Sequence, residues 1–344
     1  DMPLRLLIAS DLHDDIRAVE LLKAEVSSEE VDAILCPGDF TMMPNPIAEG
    51  DADWKEPSEA ELAEYSGKAA AMLEALRKVR PSVRLIFVPG NHDPRSMFGT
   101  EGGTLAADSE NAHGRLVHLA PDLVVAGWGG AVEGREAGQE VWSAYPWREA
   151  ALRKAGLSRL AAEVVALPPG KQVLLLTHPG PANSSTTWVT GTDPNSLHLP
   201  GVRDEKIFSG SASLEASLVT PKAMQERVAL QVHGHTHQGC GMARLGSVPV
   251  LNPGSLSFTR TYALITLNRA EGESRKSEGP WRLASLEIRT LGSGGAPYPA
   301  STGGLLTGAS TMGSAGLVSL FLVGVGLALA FVRGGAEKAR RSPP

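Results

Sequence analysis

The chain has 344 residues, 42% of them hydrophobic, and a formal net charge of -6. That is enough apolar material for one large domain or two, and the acidic balance argues against a nucleic-acid surface, so an anionic substrate would have to be drawn by bound metal ions. Cys36 and Cys240 are the only cysteines, which leaves no disulfide framework, and Cys36 reads as a small apolar core residue.

Residues 4–10 form a first strand at once, with no amphipathic, Arg-rich or apolar leader before it to read as a targeting peptide. It leads into Ser10-Asp11-Leu12-His13, after which Asp14 or Asp15 is placed to cap a helix to about Glu25. A strand over 33–36 leads into Pro37-Gly38-Asp39. The long, acidic, Pro-rich segment 40–57 hangs off that motif, either shaping a substrate pocket or forming a disordered surface loop. Ser58-Glu59-Ala60-Glu61 is a capping box, and Leu62, Tyr65, Ala69, Met72, Leu73, Leu76 and Val79 recur at helical spacing, which predicts a helix to about Val79. The β-branched and aromatic run Arg84-Leu85-Ile86-Phe87-Val88 predicts a buried strand ending in Pro89-Gly90-Asn91-His92-Asp93. Taken alone that pentapeptide reads equally well as a turn.

Short strands are expected near 115–119 and 122–127, followed by a Gly-rich loop with Trp142 and Tyr145 and a helix over about 148–166. The run 173–176 leads into Thr177-His178-Pro179. The Ser/Thr/Pro/Gly-rich stretch 179–210 is the leading choice for a specificity loop. A helix near 212–226 and a strand over 228–232 deliver His233-Gly234-His235-Thr236-His237, and strands near 242–251, 258–267 and 281–288 complete a second sheet. Beyond it come a Gly/Ser/Pro-rich linker over 291–313, an apolar run from Ala315 to Val332 and a basic tail over 334–344. As a helix that run would span about 27 Å, so residues 314–333 are expected to cross a membrane once, with compartment and sidedness open.

Five strand ends thus carry Asp11, His13, Asp39, Asn91, His92, Asp93, His178, His235 and His237, a set of oxygen and nitrogen donors suited to borderline divalent metals. In these motifs the chain resembles the calcineurin-like metallophosphoesterases, whose pattern runs Asp-x-His, Gly-Asp, Gly-Asn-His-Asp/Glu, His and Gly-His-x-His. Asn252-Pro253-Gly254-Ser255 also looks like the turn that follows the last motif in small bacterial and archaeal members. The resemblance covers about residues 3–290, taken as the catalytic domain. It implies an α/β fold, a four-layer α-β-β-α sandwich of two mixed sheets.

It also implies two divalent ions, Mn or an Fe/Zn pair, one held by Asp11, His13, Asp39 and His237 and the other by Asp39, Asn91, His178 and His235. Asp39 would bridge them, one ion on each carboxylate oxygen. His92 would stabilise the phosphate and protonate the leaving group, and Asp93 would orient the His92 ring through its other nitrogen, the other reading of Asp93 being a loop cap. His233 reads as a supporting or packing residue, and His113, His118 and His198 match nothing in the pattern.

Two functions follow. One is a membrane-anchored hydrolase of phosphomonoesters or phosphodiesters, in which metal-activated water attacks phosphorus. The other is a non-catalytic structural or docking subunit of a membrane complex that keeps the same fold. Completeness of the metal-binding set favours the hydrolase.

Overall fold

Alternation along the first strand already separates two cores. In β1 (Leu4–Ile8), Leu6 and Ile8 join one buried cluster and Leu7 another. The same division repeats in β2 (Ala33–Cys36) and β3 (Arg84–Phe87), where Leu35 and Ile86 point one way and Ile34, Leu85 and Phe87 the other. Strands apolar on both faces belong inside a covered parallel sheet. This computed structural model describes residues 2–45, 55–99, 109–136, 138–190, 206–270 and 279–292.

The first sheet has six strands. β1, β2, β3 and β4 (Ser109–Asn111) are parallel neighbours, and β15 (Thr261–Arg269) and β16 (Trp281–Thr290) extend the β1 edge antiparallel. Two helices cover its outer face. In α1 (Ile16–Glu25), the Asp15 side chain caps by accepting from the Ala18 N–H at 3.0 Å. In α2 (Glu59–Arg77), the expected capping box forms between Ser58 and Glu61. Ala18, Val19 and Leu22 of α1 and Ala69, Met72, Leu73 and Leu76 of α2 pack on Leu7, Ile34, Leu85 and Phe87.

The second six-stranded sheet is also mixed. Its parallel centre comprises β6 (Leu123–Trp128), β9 (Gln172–Thr177), β12 (Val228–His233) and β14 (Val248–Asn252), and its antiparallel edges are β5 (Leu116–Ala120) and β13 (Gly241–Leu245). Val125, Leu174, Leu176, Leu230 and Val232 meet Leu6, Ile8, Leu35 and Ile86 of the first sheet. On the opposite face Val124, Val173 and Leu175 pack against Leu160 and Val164 of α3 (Ser158–Val165) and against Leu214, Leu218 and Met224. The core of the protein is therefore two mixed sheets with helices.

Four features depart from the sequence reading. The strands expected near 258–267 and 281–288 do not complete the second sheet: as β15 and β16 they lie antiparallel along the β1 edge of the first. The helix expected over 148–166 is regular only over Ser158–Val165, because Gly156, at φ 129°, breaks the helical path. The strand expected over 242–251 is a hairpin, turning where Gly246 takes φ 59°. A small four-stranded antiparallel sheet was not foreseen. It joins β7 (Gly134–Glu136) and β8 (Gln139–Trp142) to β10 (Trp188–Thr190) and β11 (Lys206–Phe208), which flank the stretch 191–205.

The single-pass membrane location expected from the sequence is corrected: among the described residues no helix is long and apolar enough to cross a membrane. The apolar stretch 314–333 on which that expectation rested lies outside the described residues, as do most of the linker, the basic tail, residues 46–54 and, within the expected specificity loop 179–210, residues 191–205 with His198.

Candidate metal centre

All five strand-end motifs follow the C-terminal ends of parallel strands, where open α/β sheets bind ligands. β1 leads to Asp11 and His13, β2 to Asp39, β3 to Asn91 and His92, β9 to His178, and β12 to His235 and His237. The first sheet thus supplies five of these side chains and the second three. The loops are knit by main-chain bonds: Asp11 N–H donates to the Gly38 carbonyl (2.9 Å) and His13 N–H to that of Asp39 (3.0 Å). The geometry is strained. Asp11, His13, Asp39 and His235 hold φ of 55°, 47°, 58° and 65°, left-handed values that non-glycine residues rarely adopt outside functional loops. Close approach also explains Gly90, where a Cβ would run into the Asp39 carboxylate.

Two donor groups converge. Asp11, His13, Asp39 and His237 form one, and Asp39, His178 and His235 the other, with the donor atoms of each group within 4.8 Å of one another. His13 Nε2 and His237 Nε2 face each other at 3.0 Å, and Asp11 Oδ1 lies 3.3 Å from His237 Nε2. Asn91 joins the second group, its Oδ1 lying 2.9 Å from His178 Nε2. Asp39 Oδ2 lies 3.7 Å from His13 Nε2 and 3.2 Å from His178 Nε2, whereas Asp39 Oδ1 accepts the His92 N–H at 2.8 Å. Oδ2 of Asp39 thus faces both groups, while Oδ1 is engaged by the backbone of the β3 loop.

Carbonyls fix the imidazoles from behind. A carbonyl only accepts, so His13 Nδ1 donates to Thr41 (3.3 Å), His178 Nδ1 to Pro37 (2.9 Å) and His92 Nδ1 to Met43 (2.8 Å), turning each Nε2 toward the cluster or the solvent. These partners left no trace in the sequence, because a carbonyl has no residue identity. Asn252, in the turn noted above, donates to the carbonyls of Thr186 (3.2 Å) and Thr236 (2.8 Å) and so steadies the residue between His235 and His237. His233 is fully buried, with Nε2 2.7 Å from Thr186 Oγ1 and Nδ1 2.9 Å from the Gly234 carbonyl, a supporting place as expected. His113 is also buried, its Nδ1 accepting the Gly129 N–H at 2.9 Å, while His118 is exposed on β5. Trp142 stands at the edge of the centre, its ring 6.0 Å from that of His235.

Asp93 does not reach the His92 ring and instead takes the place of the loop cap. Its Oδ2 accepts N–H bonds from Gly90 (2.7 Å) and Asp39 (3.0 Å), and its Oδ1 from Phe40 (2.8 Å) and Thr41 (3.1 Å). It is a buried clamp that closes the β2 loop onto the β3 loop. Burial, then the charge of Asp39, push its carboxyl up to about 7 against the pull of those donors. Asp93→Asn places an amide N–H₂ among four N–H donors, so a loss on the order of 3 kcal/mol is expected, read as a lower denaturant midpoint. A variant with unchanged stability and impaired leaving-group chemistry would return Asp93 to orienting His92.

The electrostatics suit a cation. Burial would raise the carboxyls of Asp11 and Asp39, but the neighbouring imidazoles, His237 for Asp11 and His178 for Asp39, hold both below the ordinary carboxylate range. Burial pushes His13 and His235 down to about 3, so both rings are neutral. Burial would lower His178 too, but the Asp39 carboxylate outweighs it and pushes it up to about 9. His235 Nε2 is buried with no hydrogen-bond partner, and an orphaned lone pair beside two carboxylates is what a divalent ion would satisfy. The residues present fit metal.

No curated protein sequence matches the chain. One crystal structure superposes with a TM-score of 0.57 at 16% identity, covering 84% of this chain and 100% of that one, a likeness of fold alone. A dimetal phosphatase from Danio rerio is 13% identical over 83% of this chain and 100% of its own, with a TM-score of 0.49. TT1561 of Thermus thermophilus is 18% identical over 77% and 94%, with a TM-score of 0.47. The calcineurin-like phosphoesterase family model matches residues 4–239. That span runs from the first strand of the first sheet through both donor groups, more than half of the sequence, and on it the chain belongs to the calcineurin-like phosphoesterase family.

Proposed function

We propose that the chain is a metal-dependent phosphoric ester hydrolase acting on a phosphomonoester or phosphodiester, with its catalytic domain ending near residue 290. In this reading Asp11, His13, Asp39 and His237 hold one divalent ion, and Asp39, Asn91, His178 and His235 hold a second. The observation that carries it is the pair of donor groups sharing Asp39. Ions of the Mn, Fe or Zn type bound there supply an acidified water and positive charge against the ester oxygens.

The chain's own groups do the remaining work. Asp39 sets its charge between the two groups through Oδ2, while the His92 N–H on Oδ1 fixes the carboxylate plane. His92 is committed at Nδ1 to the Met43 carbonyl, so Nε2 is the ring atom free to act. A proton on that nitrogen passes to the departing ester oxygen as the oxygen takes the electron pair of the breaking P–O bond. The strained loops hold these groups ready before substrate arrives.

Metal uptake tests the reading independently of turnover. His178 of the metal-free protein keeps its proton up to about 9. An imidazole binds metal only when neutral, so uptake must expel that proton, and affinity should weaken by about tenfold for each pH unit below 9. Calorimetric Mn²⁺ titrations in buffers of different ionisation heat read the proton count, and an aryl phosphate assay with and without chelator reads the activity. Failure to bind metal, or turnover indifferent to chelator, defeats the proposal.

A further inference from the structure

The turn that follows the last histidine cluster holds one exposed aromatic ring over the centre. Ser255 is fully buried, and its Oγ donates to the Asp11 carbonyl and accepts the Phe258 N–H, both at 2.9 Å. Leu256 and Ser257 donate their N–H groups to the carbonyls of Ser10 (2.8 Å) and Asp11 (3.2 Å). The backbone of Phe258 is thereby tied to the loop that carries Asp11 and His13. Its ring stacks on that of His237, with centroids 4.9 Å apart and planes inclined at 24°, and lies 5.0 Å from the His13 ring. The His13 ring is in turn 5.3 Å from that of His92.

Phe258 nevertheless leaves 41% of its surface in water, whereas Tyr262, four residues on, is fully buried. A side chain needed only for packing would gain by being covered. An aromatic face is thus left open beside His13 and His237, two imidazoles of the first donor group.

Resting on the hydrolase reading, we infer that Phe258 is a specificity-determining residue that receives the organic group of the ester, favouring phosphoesters whose group next to phosphorus is planar and apolar over those bearing a small alkyl group. Stacking on a ring already held in place gains affinity without the cost of ordering it.

Phenylphosphonate and methylphosphonate distinguish this from a purely structural ring, since neither is hydrolysed and both present the same oxygens to the centre. Calorimetry on the Mn²⁺-loaded full chain should show phenylphosphonate binding about tenfold more tightly than methylphosphonate. In Phe258→Ala that ratio should collapse toward one, and in Phe258→Tyr it should persist. No preference in the wild type, or a ratio unchanged in Phe258→Ala, overturns the proposal. So does loss of bound metal and of both ligands together in Phe258→Ala, because the ring would then serve only to clamp His13 and His237. A Phe258-dependent preference in a protein that cleaves no ester would support the platform and defeat the hydrolase reading, so the two failures are distinct.

Discussion

Asp39→Asn is expected to lose both ions together and to lower hydrolysis by about 10³-fold or more. The reason is positional: among the described residues Asp39 Oδ2 is the one carboxylate oxygen near both His13 and His178. Other ligands belong to one donor group each, so their loss should leave the second group intact. The substitution is isosteric, but it removes a charge that neighbouring imidazoles keep well below the ordinary carboxylate range. Several kcal/mol of transition-state charge stabilisation depend on the ions, and each 1.36 kcal/mol is a factor of ten in rate. Metal analysis of the purified variant decides the point. Two ions per chain in Asp39→Asn would rule out the shared ligand.

His92→Asn should show an effect of comparable size on one class of ester and a different signature. Metal content should stay at the wild-type level, since His92 belongs to neither donor group. With an alkyl ester the loss should reach about 10² to 10⁴-fold, because a departing alkoxide needs a proton. With a nitrophenyl ester it should be much smaller, because the phenolate leaves unaided. The Met43 carbonyl leaves only Nε2 to carry this role, so the two esters should separate cleanly. Equal losses on both, accompanied by a lower melting temperature, would instead mark His92 as a packing residue.

The donor residues were legible because each follows an apolar run that could only be a buried strand, and strand ends gather in space. Asp11, Asp39, Asn91, His178 and His235 needed no long-range guess beyond that. The mate of Asp93 was not legible. The resemblance suggested a side-chain pair with His92 ahead of a loop cap, but the two side chains diverge from the loop, and four backbone N–H groups from two loops outcompete one imidazole. Nor was the small sheet legible: β7 and β11 are three-residue strands whose partners lie far apart in the chain, too short for alternation to register. The broken helix before α3 follows the same logic, since a hydrophobic period survives a single glycine that the backbone does not. Phe258 was hidden for another reason, because exposure belongs to the folded surface and not to the pattern.

The division of donors between the two sheets bears on how the molecule comes apart. The first sheet contributes Asp11, His13, Asp39 and Asn91, and the second His178, His235 and His237, so ions at the proposed centre would rivet the two layers at one end of their shared core. A ligand that binds only the native state adds about 4 kcal/mol of stability at a thousandfold excess over its dissociation constant. Here that gain would be spent at the seam, where carboxylates otherwise crowd one another and four residues hold unfavourable backbone angles. The metal-free protein would be the species that opens first, parting along the inter-sheet core, and chelation would act as a loosening of the whole chain as well as a loss of chemistry.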